Sequence, residues 1–582
     1  MTLPTRNSQL ALCRADFRTV PEMLDYAARG ETGVTFYSVR GEILSAFAWR
    51  EIRERAHVTA RRLIGAGFAK GERILITADT WPGFFDSFFG AQYAGLLPVP
   101  VSVPVGIGGK DAYVDQLRRQ LAASGAVAAV GIEDLAGFLA DAAAEFPAVR
   151  LHGGMSVIDA LPEKPVDLRP LGPSDHCYIQ FSSGSTRHPH GVQITQAALM
   201  ANLVGITGPA GLEVVPGDRA VSWLPLYHDM GLIGFLMAPL STQLSLDYLT
   251  PRDFARRPTQ WLSLISRNRG SIAYSPSFGY DLATRRAASQ VPADLDLSCW
   301  RHAGIGGDMI RPDVLDRFAA TFESVGFDRK AFIPSYGMAE VCLAITFSPH
   351  GTGVRTDTID RAALADSQCA QPALDAQDER RARRFVLCGK VLPGHRLEVR
   401  GENGEVLGDR EVGRIFVAGP SIMPGYFDEP EATREVLADG WLDTGDLGYT
   451  LKGEVVVTGR AKDLIIVNGR NIWPQDIEWA IETRRVVKNG DSVAFSVDGG
   501  DGEGGGERVV VAVLARVSGE EGRQTLASDV AQAVREAIAV DCDVVLVPPA
   551  LGLPTTSSGK LSRSRAKANY LAGLYAPKTA AA

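Results

Sequence analysis

Apolar residues recur at helical spacing over residues 48–67, and the stretch ends on Gly67, which predicts a helix. Arg73-Ile-Leu-Ile-Thr-Ala78 follows as a short apolar run of strand length. Phe84–Gly95 is aromatic-rich and long enough for a helix, and Leu97-Pro-Val-Pro-Val101 returns as an extended segment. Such alternation predicts a layered α/β domain. Near Gly459 the texture changes. Val455–Thr458 and Leu464–Val467 read as strands around Gly459-Arg-Ala-Lys-Asp463, and a helix starts at Pro474, where a first-turn proline fits. Val493–Val497 and Val509–Val513 read as two further strands joined by the glycine-rich loop Gly499–Gly506. The pattern therefore predicts a large layered α/β domain over 1–459 and a small α+β domain over 460–582, with no internal repeat.

Composition narrows the class. At 582 residues, 45% hydrophobic and 22% charged, the chain is globular and too long for one core. A net charge of −8 and a pI near 5.7 provide no electrostatic footprint for nucleic acid. No charged-then-apolar leader opens the sequence and no apolar run approaches membrane-spanning length, so a cytoplasmic enzyme without stable membrane insertion is expected. Seven cysteines lie singly, without zinc or redox spacing, which fits reduced thiols.

The candidate chemistry starts at Tyr178-Ile-Gln-Phe-Ser-Ser-Gly-Ser-Thr-Arg-His-Pro-His-Gly-Val192, an apolar strand that breaks into hydroxyls and glycine. Ser182, Ser183, Ser185 and Thr186 offer donors, and Gly184 lets the backbone turn its N–H groups toward one point, as a polyphosphate requires. Taken alone, an ordinary strand-to-helix turn fits equally. The lysine-containing loop GxxxxGK[ST] is absent, and its nearest imitation, Gly106-Ile-Gly-Gly-Lys110, reads as a surface turn. Four other segments carry polar groups that a core would not need: Ser222–Gly231 with His228 and Asp229, Ser335–Glu340, Gly440–Asp446, and Pro554–Lys560.

Together and in this order, these segments resemble the adenylate-forming superfamily of acyl-CoA synthetases, luciferases and peptide-synthetase adenylation domains, over nearly the whole chain from about Phe36 to Lys560. The details are most similar to the fatty acyl-AMP ligases: Gln180-Phe-Ser-Ser-Gly-Ser-Thr-Arg-His-Pro, Trp223-Leu-Pro-Leu-Tyr-His-Asp-Met-Gly-Leu-Ile233 and Pro276-Ser-Phe-Gly-Tyr-Asp-Leu282. About forty residues near 348–388, rich in Arg, Asp and Ala, resemble the insertion that separates acyl-AMP ligases from CoA ligases. A tolerated surface loop is the plainer alternative.

The resemblance implies attack of a fatty carboxylate on the α-phosphorus of ATP. Residues Ser182, Ser183, Gly184, Ser185 and Thr186 would cradle the β and γ phosphates, with Mg²⁺ bridging them to Glu340. Tyr336 would stack on adenine within Ser335-Tyr-Gly337-Met338, with Gly306, Gly307 and Asp308 lining the slot; for Tyr336 plain core packing fits as well. Asp446 would accept the ribose hydroxyls and Arg460 would reach the same sugar. Lys560, carried by a mobile small domain, would stabilise the transition state, and Lys462 would be the hinge. His228 would gate the acyl tunnel, which Trp223, Met230, Phe278 and Tyr280 are candidates to line, although these four also suit ordinary core. Two departures stand out: His190 occupies a position where many members have lysine, and Gly306-Gly-Asp-Met309 replaces the commoner Gly-Ala-Glu-Pro.

The acyl group would pass to the phosphopantetheine thiol of an acyl carrier protein. Asp378-Glu-Arg-Arg-Ala-Arg-Arg384 is a dense basic run that an acidic carrier would suit, with a solvated charged helix the simpler reading. An acyl-CoA synthetase shares every ATP residue and stands as the alternative. A degenerate acyl- or nucleotide-binding protein is the alternative of another class, opposed by the retention of Lys560, Glu340 and Asp446 together.

Overall fold

The computed structural model describes residues 3–104, 109–182, 189–288, 291, 292, 294–378, 381–467, 470–484, 486–498, 507–556 and 560–575. Its central element is a nine-stranded sheet running Lys390–Val391, Ala344–Phe347, Phe332–Gly337, His302–Ile305, Ile272–Ser275, Arg219–Ser222, Ser245–Tyr248, Gly33–Tyr37 and Ile43–Ala48. The strands from Phe332–Gly337 to Gly33–Tyr37 pair in parallel, and antiparallel strands flank them on both sides. Ile272–Ser275 and Ser245–Tyr248 are buried at every position, as a sheet covered on both faces requires. Parallel strands deliver their carboxyl ends to one side. The turns after Ser222, Ser275, Ile305 and Gly337 therefore converge, which is where ligands sit in open α/β sheets.

A second sheet, Leu97–Val101, Arg73–Thr77, Ala128–Gly131 and Leu151–Gly154, is parallel throughout. Its elements follow the expected pattern: helices Trp49–Gly65 and Pro82–Ala94 precede and follow the strand Arg73–Thr77. The second helix stops at Gly95, whose φ of 75° suits glycine and whose added Cβ would lie 2.6 Å from the Arg169 carbonyl. A third sheet is antiparallel and ends in the hairpin Trp441–Leu451 with Glu454–Arg460.

Beyond that hairpin the fold is smaller. Ser492–Asp498 pairs antiparallel with Glu507–Leu514, which pairs parallel with Cys542–Val547; helices Pro474–Thr483 and Glu520–Ile538 contribute to the apolar cluster beside these strands. That cluster, built on Ile465, Ile477, Val511 and Val530, draws only on residues after Leu464. The architecture is thus the expected α/β one, a large layered domain with a smaller sheet domain following it. The segments Gly106–Gly108, Ser183–Thr186 and Gly499–Gly506 lie outside the described residues.

The stretch 348–388 departs from the plainer surface-loop alternative, because Thr356–Asp360, the helix Arg361–Ser367 and Ala382–Val386 fold together, the two strands pairing antiparallel from Thr356 opposite Val386 to Asp360 opposite Ala382. The described part of the basic run is not the expected solvated helix: Ala382–Arg384 belong to a strand, with Arg381 and Arg384 exposed. Arg383 lies in the second strand, 3% exposed and 2.8 Å from Asp476, and Arg384 pairs with Asp316.

Tyr280 also differs from its expected role. It is fully buried among Trp261, Trp300, Phe318 and Phe332, with ring centroids 4.9 to 6.2 Å apart, and its hydroxyl donates to the Gly304 carbonyl at 2.9 Å. An aromatic packed on all sides is core. Tyr280→Ala is expected to destabilise the protein by about 3–5 kcal/mol, the range for aromatic truncation. Thermal unfolding checks this. An unchanged KM for the carboxylic substrate in the surviving folded fraction is the accompanying expectation.

Candidate active site

A cavity of about 650 Å³ opens where the strand ends meet the small domain. It is lined both by polar groups, among them Ser182, His190, His228, Glu340, Arg460, Lys462 and Lys560, and by apolar side chains, among them Ile206, Leu212, Phe235, Leu343 and Phe347.

The segment after the strand Arg219–Ser222 brings in His228, which caps the short helix Asp229–Leu232. Its Nδ1 lies 2.5 Å from Asp229 Oδ1, and the Met230 N–H donates to the same oxygen at 2.7 Å. Burial raises the Asp229 carboxyl, but His228 and Lys560 outweigh it and hold the group below the usual carboxylate range. Asp229 thus places a buried negative charge within the influence of Lys560, a role the motif did not suggest. Gly231 allows this turn, since an added Cβ would meet the Pro225 carbonyl at 2.0 Å.

The strands His302–Ile305 and Phe332–Gly337 supply the next wall. Gly306 lies so close to Ser335 that a Cβ would approach its carbonyl to 2.9 Å, and Gly307 adopts φ +81°. Ser335, Tyr336, Gly337 and Met338 line the cavity with Gly306 and Gly307, whereas Asp308 is exposed and faces a second, interdomain cavity of about 340 Å³. Tyr336 is half-buried rather than core, and its hydroxyl donates to Asp446 Oδ2 at 2.7 Å. Asp446 stands opposite Arg460 in the last hairpin, with Arg460 Nε 3.3 Å from its Oδ1. Burial raises the Asp446 carboxyl, and Arg460, Tyr336 and Lys560 oppose that rise.

Glu340 is 8% exposed, not a surface charge, and its Oε1 accepts the Tyr426 hydroxyl at 3.1 Å. Burial pushes its carboxyl up. No group of three or more metal-ligating side chains occurs among the described residues. A single buried carboxylate lining the cavity nevertheless fits Mg²⁺, which takes one or two carboxylates and completes its shell with phosphates and water.

From the small domain, Lys560 reaches both cavities; its N–H donates to Thr556 Oγ1 at 3.3 Å and its carbonyl accepts the Thr556 N–H at 2.7 Å. Arg563, one helical start further on, is buried between Glu478 and Asp463 and anchors this segment. Lys462 sits at the chain crossing between the domains, and burial lowers its ammonium.

Of the predicted acyl-pocket residues, Met230 lines the cavity and three do not. Trp223 is stacked on Phe254 at 3.8 Å, Phe278 is 44% exposed and faces the interdomain cavity, and Tyr280 is core. The apolar wall comes instead from the helix Gln196–Thr207, the π-helical turn Ile233–Met237 and the strand Ala344–Phe347. The residues Ser183, Gly184, Ser185 and Thr186 lie outside the described part, while Ser182 lines the cavity.

One cavity at the strand ends thus combines buried carboxylates, cationic groups and apolar side chains. The chain belongs to the AMP-binding enzyme family, whose model matches residues 28–427. It is therefore an adenylate-forming enzyme that uses ATP. A Caulobacter vibrioides protein named as an acyl-CoA synthetase is 48% identical over 570 residues, 96% of each chain. The long-chain-fatty-acid–AMP ligase FadD32 of Mycolicibacterium smegmatis is 32% identical over 590 residues, 92% of this chain and 91% of the other. A solved structure from work on fatty acyl-adenylate ligases of E. coli and L. pneumophila is 42% identical with a TM-score of 0.91, covering 97% of this chain and 100% of that one.

Two outcomes follow for the site. Lys560→Ala is expected to lower adenylate formation at least about a hundredfold, the scale of losing one transition-state charge donor, while ATP still binds in equilibrium dialysis. Asp446→Ala leaves Arg460 and Tyr336 without their partner and is expected to weaken ATP binding about tenfold or more, read in the same dialysis.

Proposed function

We propose that this enzyme is a fatty acyl-AMP ligase, forming acyl-AMP and pyrophosphate and passing the acyl group to the phosphopantetheine thiol of an acyl carrier protein. The observation that carries the reading is one cavity lined both by Glu340, Arg460 and Lys560 and by the apolar Ile206, Phe235 and Leu343. The carboxylate oxygen attacks the α-phosphorus, the bond to the bridging oxygen breaks, and pyrophosphate leaves. Two anions must be held together, so catalysis is positioning and charge stabilisation. Lys560 supplies a positive charge at the reacting centre. Arg460 and Asp446 hold the ribose, Tyr336 faces the base, and the apolar wall removes the acyl chain from water. Mg²⁺ held at Glu340 would neutralise phosphate charge.

The fate of the adenylate turns on the insertion. Arg410 makes two 2.9 Å bonds to Asp357 and Tyr449 donates to the same carboxylate at 2.8 Å, fastening the insertion to the large domain. On its other side Arg383 pairs with Asp476, in the first turn of the helix Pro474–Thr483, and its guanidinium lies 4.2 Å from the Phe385 ring and 5.4 Å from the Trp473 ring. Trp473 packs in one cluster with Ile359, Leu364 and Phe385. Burial pushes the Arg383 guanidinium down to about 10, so separating it from Asp476 would strand a desolvated charge. Rotation of the small domain about Lys462 would do that. The insertion thus opposes the rearrangement that free CoA would need, which favours the acyl-AMP ligase over the acyl-CoA synthetase suggested by the Caulobacter relative.

Purified enzyme with ATP, Mg²⁺ and a panel of fatty acids, with and without CoA, is expected to accumulate acyl-AMP and no acyl-CoA. Abundant acyl-CoA would make it a synthetase. The double variant Arg383→Met, Asp476→Leu removes both buried charges together, and is expected to raise CoA-dependent thioester above the wild-type level in the same assay.

A further inference from the structure

We infer that three buried residues, Asn202, Ser421 and His395, are positioning residues for the cation ligand: they hold the turn that follows Glu340 and so fix where its carboxylate stands. The inference rests on the reading of Glu340 as the residue that would hold Mg²⁺. Cys342, two residues on, has φ +64° and ψ −62°, and the Leu343 N–H donates to the Val341 carbonyl at 2.8 Å. That is a γ-turn of the rare, strained hand, at a residue with a side chain. It separates Glu340 from Leu343, and both line the cavity. Gly337 makes room for the turn, since an added Cβ would lie 1.8 Å from the Leu343 carbonyl. A residue other than glycine stays in such a conformation only where its surroundings over-determine it.

One segment does this. Between Ser421 and Tyr426 it touches the turn three times: the Ser421 carbonyl accepts the Cys342 thiol at 3.3 Å, the Met423 N–H donates to the Glu340 carbonyl at 2.9 Å, and the Tyr426 hydroxyl donates to Glu340 Oε1 at 3.1 Å. The segment is itself anchored at Ser421, which is fully buried. His395 Nδ1 lies 3.1 Å from the Pro393 carbonyl, which only accepts, so Nδ1 carries the ring proton. Burial favours the neutral ring, and Nε2, 2.6 Å from Ser421 Oγ, is left to accept the Ser421 hydroxyl. The same Oγ accepts from Asn202 Nδ2 at 3.2 Å. Asn202 also bonds both backbone groups of Ala344, the residue after Leu343, at 2.8 and 3.1 Å, which ties the turn to the helix Gln196–Thr207. Asn202, Ser421 and His395 line neither cavity. Their polar groups satisfy one another away from water, and such a network rigidifies what it holds.

Calorimetric titration with ATP and no carboxylic acid, once with Mg²⁺ and once with EDTA, tests this without turnover. The readout is the gain in ATP affinity that Mg²⁺ confers. The wild type is expected to show such a gain, and Glu340→Gln to lose it. Ser421→Ala and His395→Leu are expected to lose about tenfold to a hundredfold of it, as substitutions behind a metal ligand do, while their affinity in EDTA stays at the wild-type level. His395→Gln, which keeps an acceptor for the Ser421 hydroxyl, is expected to retain the gain. The double variant Cys342→Gly, Ser421→Ala is expected to recover part of what Ser421→Ala loses, because glycine takes a positive φ unaided. A gain unchanged in folded Ser421→Ala and His395→Leu but lost in Glu340→Gln would overturn the inference, as would an equal loss of affinity with and without Mg²⁺, the mark of a merely structural role. A gain unchanged in Glu340→Gln would instead remove the reading of Glu340 and the inference with it. Fatty-acid-dependent ATP–pyrophosphate exchange by the wild type separately tests the adenylation reading.

Discussion

One rung of an antiparallel hairpin, Asp446 opposite Arg460, is the constraint on which the rest of the site depends. Asp446 is withdrawn from water while Arg460 keeps a solvent-facing side, and a buried carboxylate persists as a charge only with partners in reach. Arg460 is one partner and the Tyr336 hydroxyl the other. The hairpin therefore does more than join two strands. It fixes Tyr336 from the central sheet against the last strand of the large domain, and it leaves the chain at Lys462, two residues on, already aimed at the small domain. The nucleotide platform and the interdomain crossing are consequently a single assembly, and neither can shift without breaking a buried polar contact.

The same logic separates what was legible in the sequence from what was not. Alternating elements such as Trp49–Gly65, Arg73–Thr77 and Pro82–Ala94 could be read because each carries its own period and its own stop. Glu340, Asp446 and Lys560 could be singled out because each stands close to glycine in a polar segment of the sequence, although Asp446 proves to lie within the strand Trp441–Leu451, opposite Arg460. Glu340, Arg460 and Lys560 converge on one cavity, and Asp446 lines the adjoining interdomain cavity with Arg460 and Lys560.

The apolar pocket was not legible, for an equally physical reason. Trp223, Phe278 and Tyr280 were attractive because they are large and close in sequence to the polar motifs, yet side-chain size says nothing about which face of an element meets the cavity. Packing around Phe254 and Trp300 claimed two of them, and the third turned outward. The real wall uses Ile206, Leu212 and Phe347, which no local pattern distinguishes from core. It also uses Gly234, in a π-helical turn, whose added Cβ would press on Leu343 at 3.4 Å. That turn widens the helix where the pocket passes, a feature set by tertiary contacts. Arg383 was not legible for the opposite reason: it looks as solvent-facing as its exposed neighbours Arg381 and Arg384, because sequence shows its charge but not Asp476 and the aromatic rings that enclose it.

Buried ion pairs are poor sources of stability but strong determinants of geometry, since breaking one exposes a charge to a medium that cannot solvate it. Three such pairs, Arg383 with Asp476, Arg311 with Glu482 and Arg563 with Glu478, secure the helix Pro474–Thr483, the first two to the large domain and the third to the segment carrying Lys560. Any rotation of the small domain must break the first two while leaving the third intact. Lys560 would then travel with that helix as one body, and the resistance to motion would lie entirely at the interface. An enzyme held this way spends its interdomain contacts on keeping Lys560 beside Asp229 and Asp446, the arrangement that adenylation requires, and has correspondingly little to gain from the rearranged state.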